Sequence, residues 1–386
     1  MCRMSPEEEV VMARVVILGG GFSGVVAAGA LAKSLGSEHQ ITLVSRNRRF
    51  IFYPALVRLA FGKCEPDDIS TDLREAMIDR RIQFIEAEVA RIDPQTRRVI
   101  TAHGEVEGNI PYDYLLFCLG RRLATERITG FFEYAHHLLS LDGALKFGEA
   151  VRNFHEGRVV IGQCPGARLP VPVYETAFAL SRLLEERGER NQARLTIVSP
   201  DAPGFQFGDG NIARALRDAL DAHQIEYLPD FRIQAVSSDM VKSDSGQGIK
   251  YDLLMLLPPF YGSSATKGAG IADDEDYITV DRQLRVLGTE RMYAAGDCVS
   301  FPGPKLGHMA VHQAEVAAEN VAAEIQGRES HVTYKHEMML VIDEGGSDTI
   351  FLHKALWDDR PASVRQGRFW SWAKRVHEKY WQYQHS

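Results

Sequence analysis

One short segment limits the fold of this chain more than any other: Gly19-x-Gly21-x-x-Gly24, set between an apolar run at Arg14–Leu18 and an Ala-rich stretch at Gly24–Leu35. In a strand–turn–helix the first glycine makes the tight turn. The second lets backbone approach a pyrophosphate, and the third lets the helix pack closely on the strand. The helix N-terminus then offers free N–H groups and a positive dipole end to the phosphates. The bland alternative is a structural Gly-rich turn. The next buried strand, Ile41–Ser45, completes a βαβ unit and favours dinucleotide binding.

The chain has 386 residues, more than one ordinary domain needs. Hydrophobic residues make up 45% and charged residues 25%, enough for a large core. The formal net charge of −8 argues against a nucleic-acid partner. Cys2, Cys64, Cys118, Cys164 and Cys298 are scattered without CxxC spacing, which argues against a disulfide scaffold and a zinc site. No segment is long and apolar enough to span a bilayer, and Glu7–Glu9 stand where a secretory signal would be basic. A cytoplasmic setting is the expectation, with attachment to the inner face of the membrane open.

Further buried strands are expected at Tyr114–Leu119, Arg158–Gly162, Arg194–Ser199, Leu253–Leu257 and Arg291–Ala295. Helices are expected over Tyr174–Glu186, Ala213–His223 and Met309–Ile325, and short strands at Met338–Ile342 and Thr349–Leu352. The fold class is α/β with two Rossmann-like units. Residues 12–120 and 266–327 form a discontinuous cofactor unit, 121–265 a second unit, and 328–386 a C-terminal region.

Two later signals identify the cofactor. Tyr112-Asp113-Tyr114-Leu-Leu-Phe-Cys-Leu-Gly120 resembles the strand-to-glycine crossing of two-dinucleotide flavoproteins. Tyr293-Ala-Ala-Gly296-Asp297 resembles their late Gly-Asp motif. NAD alone needs only the first glycine turn, whereas FAD explains all three signals. Over about residues 13–340 the chain resembles the family of sulfide:quinone oxidoreductases, flavocytochrome c sulfide dehydrogenase flavoprotein subunits and type II NADH dehydrogenases. The supporting stretches are Ile41 through Pro54, Glu65-Pro-Asp-Asp-Ile69, Leu256-Leu-Pro-Pro-Phe260 and Gly303-Pro-Lys305-Leu-Gly-His-Met309. The last two lie nearer the sulfide:quinone branch.

The resemblance implies noncovalent FAD, held by Gly19, Gly21, Phe22, Ser23 and Gly24 at the turn and by Ser45, Arg46 and Asn47 at the adenosine ribose. Ser45 stands where an acid is usual, a departure from the fingerprint. Pro54, Val89, Gly120, Gly296, Asp297, Lys305 and Leu306 complete the set. In the family the Pro54 segment lies along the isoalloxazine, Asp297 would accept from the ribityl chain, and the Lys305 loop reaches the flavin and quinone end. Lys305 and the dipole of the following helix would stabilise negative charge on reduced flavin. Its bland reading is a solvated loop lysine. Glu175, read as opening a helix, would shuttle protons; its bland reading is a first-turn carboxylate complementing the dipole.

The second unit departs from the NADH pattern. Gly162-Gln-Cys-Pro-Gly166 is followed by Ala-Arg-Leu-Pro-Val-Pro, and prolines remove the backbone donors a pyrophosphate needs. In the sulfide branch this loop carries a redox cysteine. Aligning on Tyr174-Glu175 puts Leu169 there, and its partner cysteine falls on Leu340. A disulfide relay needs two thiols, so it cannot run at those positions. Cys164, read at a strand end facing the cofactor cleft, is the remaining thiol of interest; its bland reading is a core residue. The histidines His136, His137, His308 and His312 lack companions at metal spacing, so no metal is expected.

The tail is aromatic and basic. On a helix Phe369, Trp372, Ala373, Val376, Tyr380 and Tyr383 share a face, with Arg365, Arg368, Lys374, Arg375 and Lys379 alongside. This suits either peripheral membrane contact or docking onto protein. The functional expectation is an FAD-dependent oxidoreductase passing electrons from an unidentified donor to a membrane quinone. An NAD(P)H:quinone oxidoreductase and a non-enzymatic flavin-binding homologue stay as alternatives, and homo-oligomerisation stays open.

Overall fold

The computed structural model describes residues 12–105, 108–208, 210–344, 349–358 and 360–367. Its larger sheet has seven strands in the order Met292–Ala294, Tyr114–Phe117, Arg14–Leu18, Gln40–Ser45, Gln83–Asp93, Arg98–Gly104 and Gly108–Pro111. The first five pair parallel and the last two antiparallel. Val15 to Leu18 are buried on both faces, which is why this central strand reads as an unbroken apolar run. Its first residue is fixed by Asp113, which accepts from Arg14 Nε at 3.0 Å and Nη2 at 2.9 Å. The helices Phe22–Leu35 and Gly307–Ile325 pack against each other through buried alanines, including Ala27, Ala28, Ala314 and Ala317.

A second, four-stranded parallel sheet has the order Glu226–Leu228, Ala193–Val198, Gly157–Gln163 and Leu253–Leu257. The two Rossmann-like units expected from the sequence are therefore present. The helix after Gly157–Gln163 runs Val171–Arg187. It starts before the expected Tyr174 because Pro172 sits in the first turn, where no intrahelical donor is lost. Glu175 therefore lies a full turn inside the helix, not at its opening as the sequence suggested, and the first turn holds no acid.

A three-stranded antiparallel sheet, Glu337–Asp343, Thr349–Ala355 and Ser363–Gln366, closes the described chain. Arg365 is in its last strand, paired with Phe351. The aromatic face Phe369 to Tyr383 lies outside the described residues. Among those described, no helix is long and apolar enough to cross a membrane.

Candidate functional site

The glycine turn is shaped as its spacing demands. Gly19 has φ +110°, and a Cβ there would stand 2.1 Å from the Cys118 carbonyl oxygen. A Cβ on Gly24 would stand 1.8 Å from the Gly19 carbonyl oxygen, so helix and strand meet only because both residues are glycine. Gly21 differs: nothing lies within 4 Å of its Cβ position. The following helix has no side-chain cap and no acid in its first turn. Open space faces unsatisfied N–H groups there, which is the chemistry a pyrophosphate requires.

The neighbouring residues continue this surface. The Phe22 ring meets Phe50 and Phe52 edge-on at 5.2 and 5.5 Å. Ser23 is buried beneath Gly296, whose Cβ would come 2.5 Å from the Ser23 hydroxyl oxygen. Ser45 donates its hydroxyl to the Asn47 carbonyl at 2.9 Å. Arg46 lines an open groove with Glu86, Glu88 and His103. Val89 sits where the pairing of Gln83–Asp93 with Arg98–Gly104 slips register. Pro54 is exposed in the single turn Tyr53–Ala55, and Gly120 turns the chain with φ +66°.

Gly296, Asp297, Lys305 and Leu306 line one cavity with Phe301, Met309 and His336. Leu306 is the N-cap residue of Gly307–Ile325, and again no side chain caps the helix. Gln313 accepts the Gly296 N–H at 2.7 Å, holding the Gly-Asp turn against that helix.

Lys305 is no solvated loop residue: it is 7% exposed. Its Nζ donates to the Val299 carbonyl and lies 3.5 Å from that of Phe301, with the Tyr277 ring centroid 4.7 Å away. Burial, helped by the nearby Arg168 charge and opposed by Asp297, pushes its pKa down to about 7. His336 is pushed down to about 4, chiefly by burial. A neutral ring protonated on Nε2 satisfies both its neighbours: Nε2–H donates to the Pro302 carbonyl at 2.8 Å, and Nδ1 accepts from the Tyr334 hydroxyl at 3.2 Å.

Three participants were missed from sequence. Arg121 Nη1 pairs with Asp297 Oδ2 and stacks over Phe260 at 4.3 Å. Arg168 donates to the carbonyls of Gly303 and Phe301 at 2.9 and 2.5 Å. His336 is the third. Only Arg121 had a sequence signal, since it directly follows the crossing glycine Gly120.

Other expected residues fall elsewhere. Glu175 is buried and accepts the Asp343 N–H at 3.0 Å, away from the cavity lining. Leu340 is in the core and Leu169 packs against it. The four described cysteines are free thiols. Cys164 does not face the cleft: it is fully buried among Val160, Val198, Leu254 and Leu256, and burial pushes its thiol far up. Among the described residues no group of three His, Cys, Asp or Glu side chains is placed to hold a metal.

The second turn is not shaped as a dinucleotide cradle. A Cβ on Gly162 would meet Val198 Cγ2 at 2.6 Å, so that glycine serves strand packing. Pro165, Pro170 and Pro172 carry no N–H to offer.

Residues 13–314 match the family model described as pyridine nucleotide-disulphide oxidoreductase. The sulfide-quinone reductase of Aquifex aeolicus is 26% identical over 389 residues, spanning 95% of this chain and 89% of that protein. The X-ray structure of the sulfide:quinone oxidoreductase from Aquifex aeolicus matches with a TM-score of 0.90 at 25% identity, over 97% of this chain and 91% of the other. A type II NADH:quinone oxidoreductase of Staphylococcus haemolyticus is 22% identical over 82% of this chain and 83% of its own length. With two Rossmann-like units and an open glycine turn that fits a pyrophosphate, the chain belongs to the pyridine nucleotide-disulphide oxidoreductase family and is an FAD-dependent oxidoreductase.

Proposed function

We propose that the chain passes electrons from a donor through FAD to a quinone, as the names of its sulfide:quinone relatives describe for them. One observation supports the reading most: the match to that structure extends over 97% of this chain. Bound FAD supplies reversible two-electron redox chemistry. Residues 12–120 with 266–327 form its unit. Gly19, Gly21 and Gly24 place the backbone at the pyrophosphate, with Phe22 and Ser23 beside them. Ser45, Arg46, Asn47 and Val89 serve the adenosine end.

At the other end Asp297, paired with Arg121, would accept from the ribityl hydroxyls. The uncapped helix after Leu306 and the Lys305 side chain provide positive potential where reduced flavin accumulates negative charge. Lys305 can hold or release a proton at Nζ near neutral pH. Glu175, buried on the helix Val171–Arg187 where it accepts the Asp343 N–H of the strand Glu337–Asp343, is a second proton carrier. The C-terminal residues from 368 provide the contact with the quinone-bearing membrane.

Anaerobic mixing tests this reading. The oxidised flavin is offered sulfide and NADH separately, and the reduced flavin is then offered a short-chain quinone. Reoxidation by quinone with turnover is the expected result. Bleaching by NADH would move the chain to the reading named by its type II NADH:quinone relative. No reduction by either donor together with no reoxidation by quinone would leave a flavin-binding protein without this chemistry.

A further inference from the structure

The loop leaving Gly157–Gln163 has leucine where the family resemblance expects a thiol, and the residue before it is Arg168. This guanidinium reaches into the loop that precedes Gly307–Ile325. Nε donates to the Gly303 carbonyl and Nη2 to the Phe301 carbonyl, while the Arg168 carbonyl accepts the Lys305 N–H at 2.7 Å. A planar fork held on two carbonyls fixes loop geometry in a way a lysine could not.

The link to Lys305 is closer than a shared loop. Lys305 Nζ lies 3.5 Å from the Phe301 carbonyl that Arg168 already holds. Both cations also rest over the Tyr277 ring, Arg168 at 5.3 Å and Lys305 at 4.7 Å. Two positive charges sharing an acceptor and a ring, the lysine buried and the arginine half-buried, repel. The remaining groups facing Lys305 do not reproduce this. Asp297 and Cys298 favour its charge, and Arg121 opposes it more weakly than Arg168. The His336 ring is neutral, and burial keeps the Tyr277 hydroxyl protonated up to about 12.

We propose that Arg168 is a positioning residue for Lys305: its fork fixes the loop that carries the lysine, and its charge adds to burial in disfavouring an ammonium at the cavity. The inference rests on the reading that Lys305 serves the flavin. Under it, a loop position that would neighbour a covalent relay in the sulfide branch acts here through electrostatics. The neutral lysine can then take up a proton at the cavity and the ammonium can return it.

The test is the pH dependence of the bound flavin's midpoint potential, with the Lys305 15Nζ NMR signal followed in the same samples. Wild type should show a break near pH 7 that Lys305→Met abolishes. Arg168→Gln keeps a donor but no charge, so the break should move upward by about one pH unit. Arg168→Lys keeps the charge without the fork, so the break should stay near wild type while the melting temperature falls. If Arg168→Gln leaves the break unmoved while Lys305→Met abolishes it, the proposal is overturned and the reading of Lys305 survives. If Lys305→Met leaves the break in place, that reading falls and the proposal with it. Where a variant loses FAD, the NMR titration of the FAD-free protein supplies the same ordering.

Discussion

Arg121 and Asp297 are separated by 176 positions in sequence and form an ion pair in which each side chain is only 15% exposed. Arg121 follows the glycine that ends the crossing from Tyr114–Phe117, and Asp297 is the Gly-Asp aspartate. Arg121 Nε is buried and finds no hydrogen-bond partner among the described residues. A buried donor of this kind costs about 1–3 kcal/mol unless something accepts from it. Arg121→Met should therefore weaken FAD binding by roughly 10- to 100-fold. Titration of the FAD-free variant by flavin fluorescence checks this, and an unchanged affinity would make the pair purely structural.

Two glycines of one turn should separate fold from cofactor. Gly24→Ala forces a carbon against the Gly19 carbonyl and should destabilise the protein by several kcal/mol, on the order of a large core substitution. Gly21→Ala meets no protein atom, so the FAD-free protein should melt within about 2 °C of wild type while its FAD affinity falls. Thermal melts beside FAD titrations distinguish the two outcomes. Equal loss of stability in both variants would contradict the open cradle at Gly21.

Lys305 should leave a signature in stability against pH. Its pKa is about 7 folded and 10.5 as the ordinary value. Between those values the unfolded chain binds more protons, so stability rises with pH across that window, and the full burial cost is felt below it. Wild type should thus gain at least about 1 kcal/mol relative to Lys305→Met between pH 7 and pH 10. Urea denaturation of both proteins at the two pH values measures it, and parallel curves would place the ammonium in water.

Glu175→Gln keeps an acceptor for the Asp343 N–H and should leave the fold and FAD content intact. Quinone turnover should fall by about 10²-fold if the carboxylate carries protons. Steady-state kcat normalised to bound flavin reads this; full activity would reduce Glu175 to a tie between helix and C-terminal sheet.

Membrane attachment is best tested by a deletion beginning at residue 368. Cutting at Arg365 would unzip the strand Ser363–Gln366, and Gly367 exchanges hydrogen bonds with Thr349, at 3.1 Å from its N–H and 2.8 Å to its carbonyl. Protein lacking residues 368–386 should keep FAD and lose co-sedimentation with anionic liposomes, where each basic residue contributes roughly 1 kcal/mol. Equal partitioning of full-length and shortened protein would exclude the tail as the anchor.

The glycine turn and the Gly-Asp motif were legible because each is a local backbone requirement written into adjacent residues. The parallel strands were legible as apolar runs. What the sequence hid was which distant side chains meet. Nothing near Lys305 announces that Arg168 will share its carbonyl, and although the Gly-Pro-Lys-Leu-Gly context pointed Lys305 to the flavin end, no local signal foretold its burial. Glu175 was misplaced because Pro172, ordinarily a breaker, sits where a helix tolerates it. Cys164 read as facing the cleft because strand ends usually do; the chain turned it inward among Val198 and Leu256 instead.

The pairing of Met292–Ala294 alongside Tyr114–Phe117 has a consequence for synthesis. A ribosome releases the glycine turn early, but Asp297, Lys305 and the helix to Ile325 emerge almost 300 residues later. During most of translation the nascent polypeptide holds one wall of the proposed flavin site and lacks the other. A product ending before Met292 should therefore bind FAD weakly, which the colour of a purified fragment would test. Colour would then report chains that extend past Asp297.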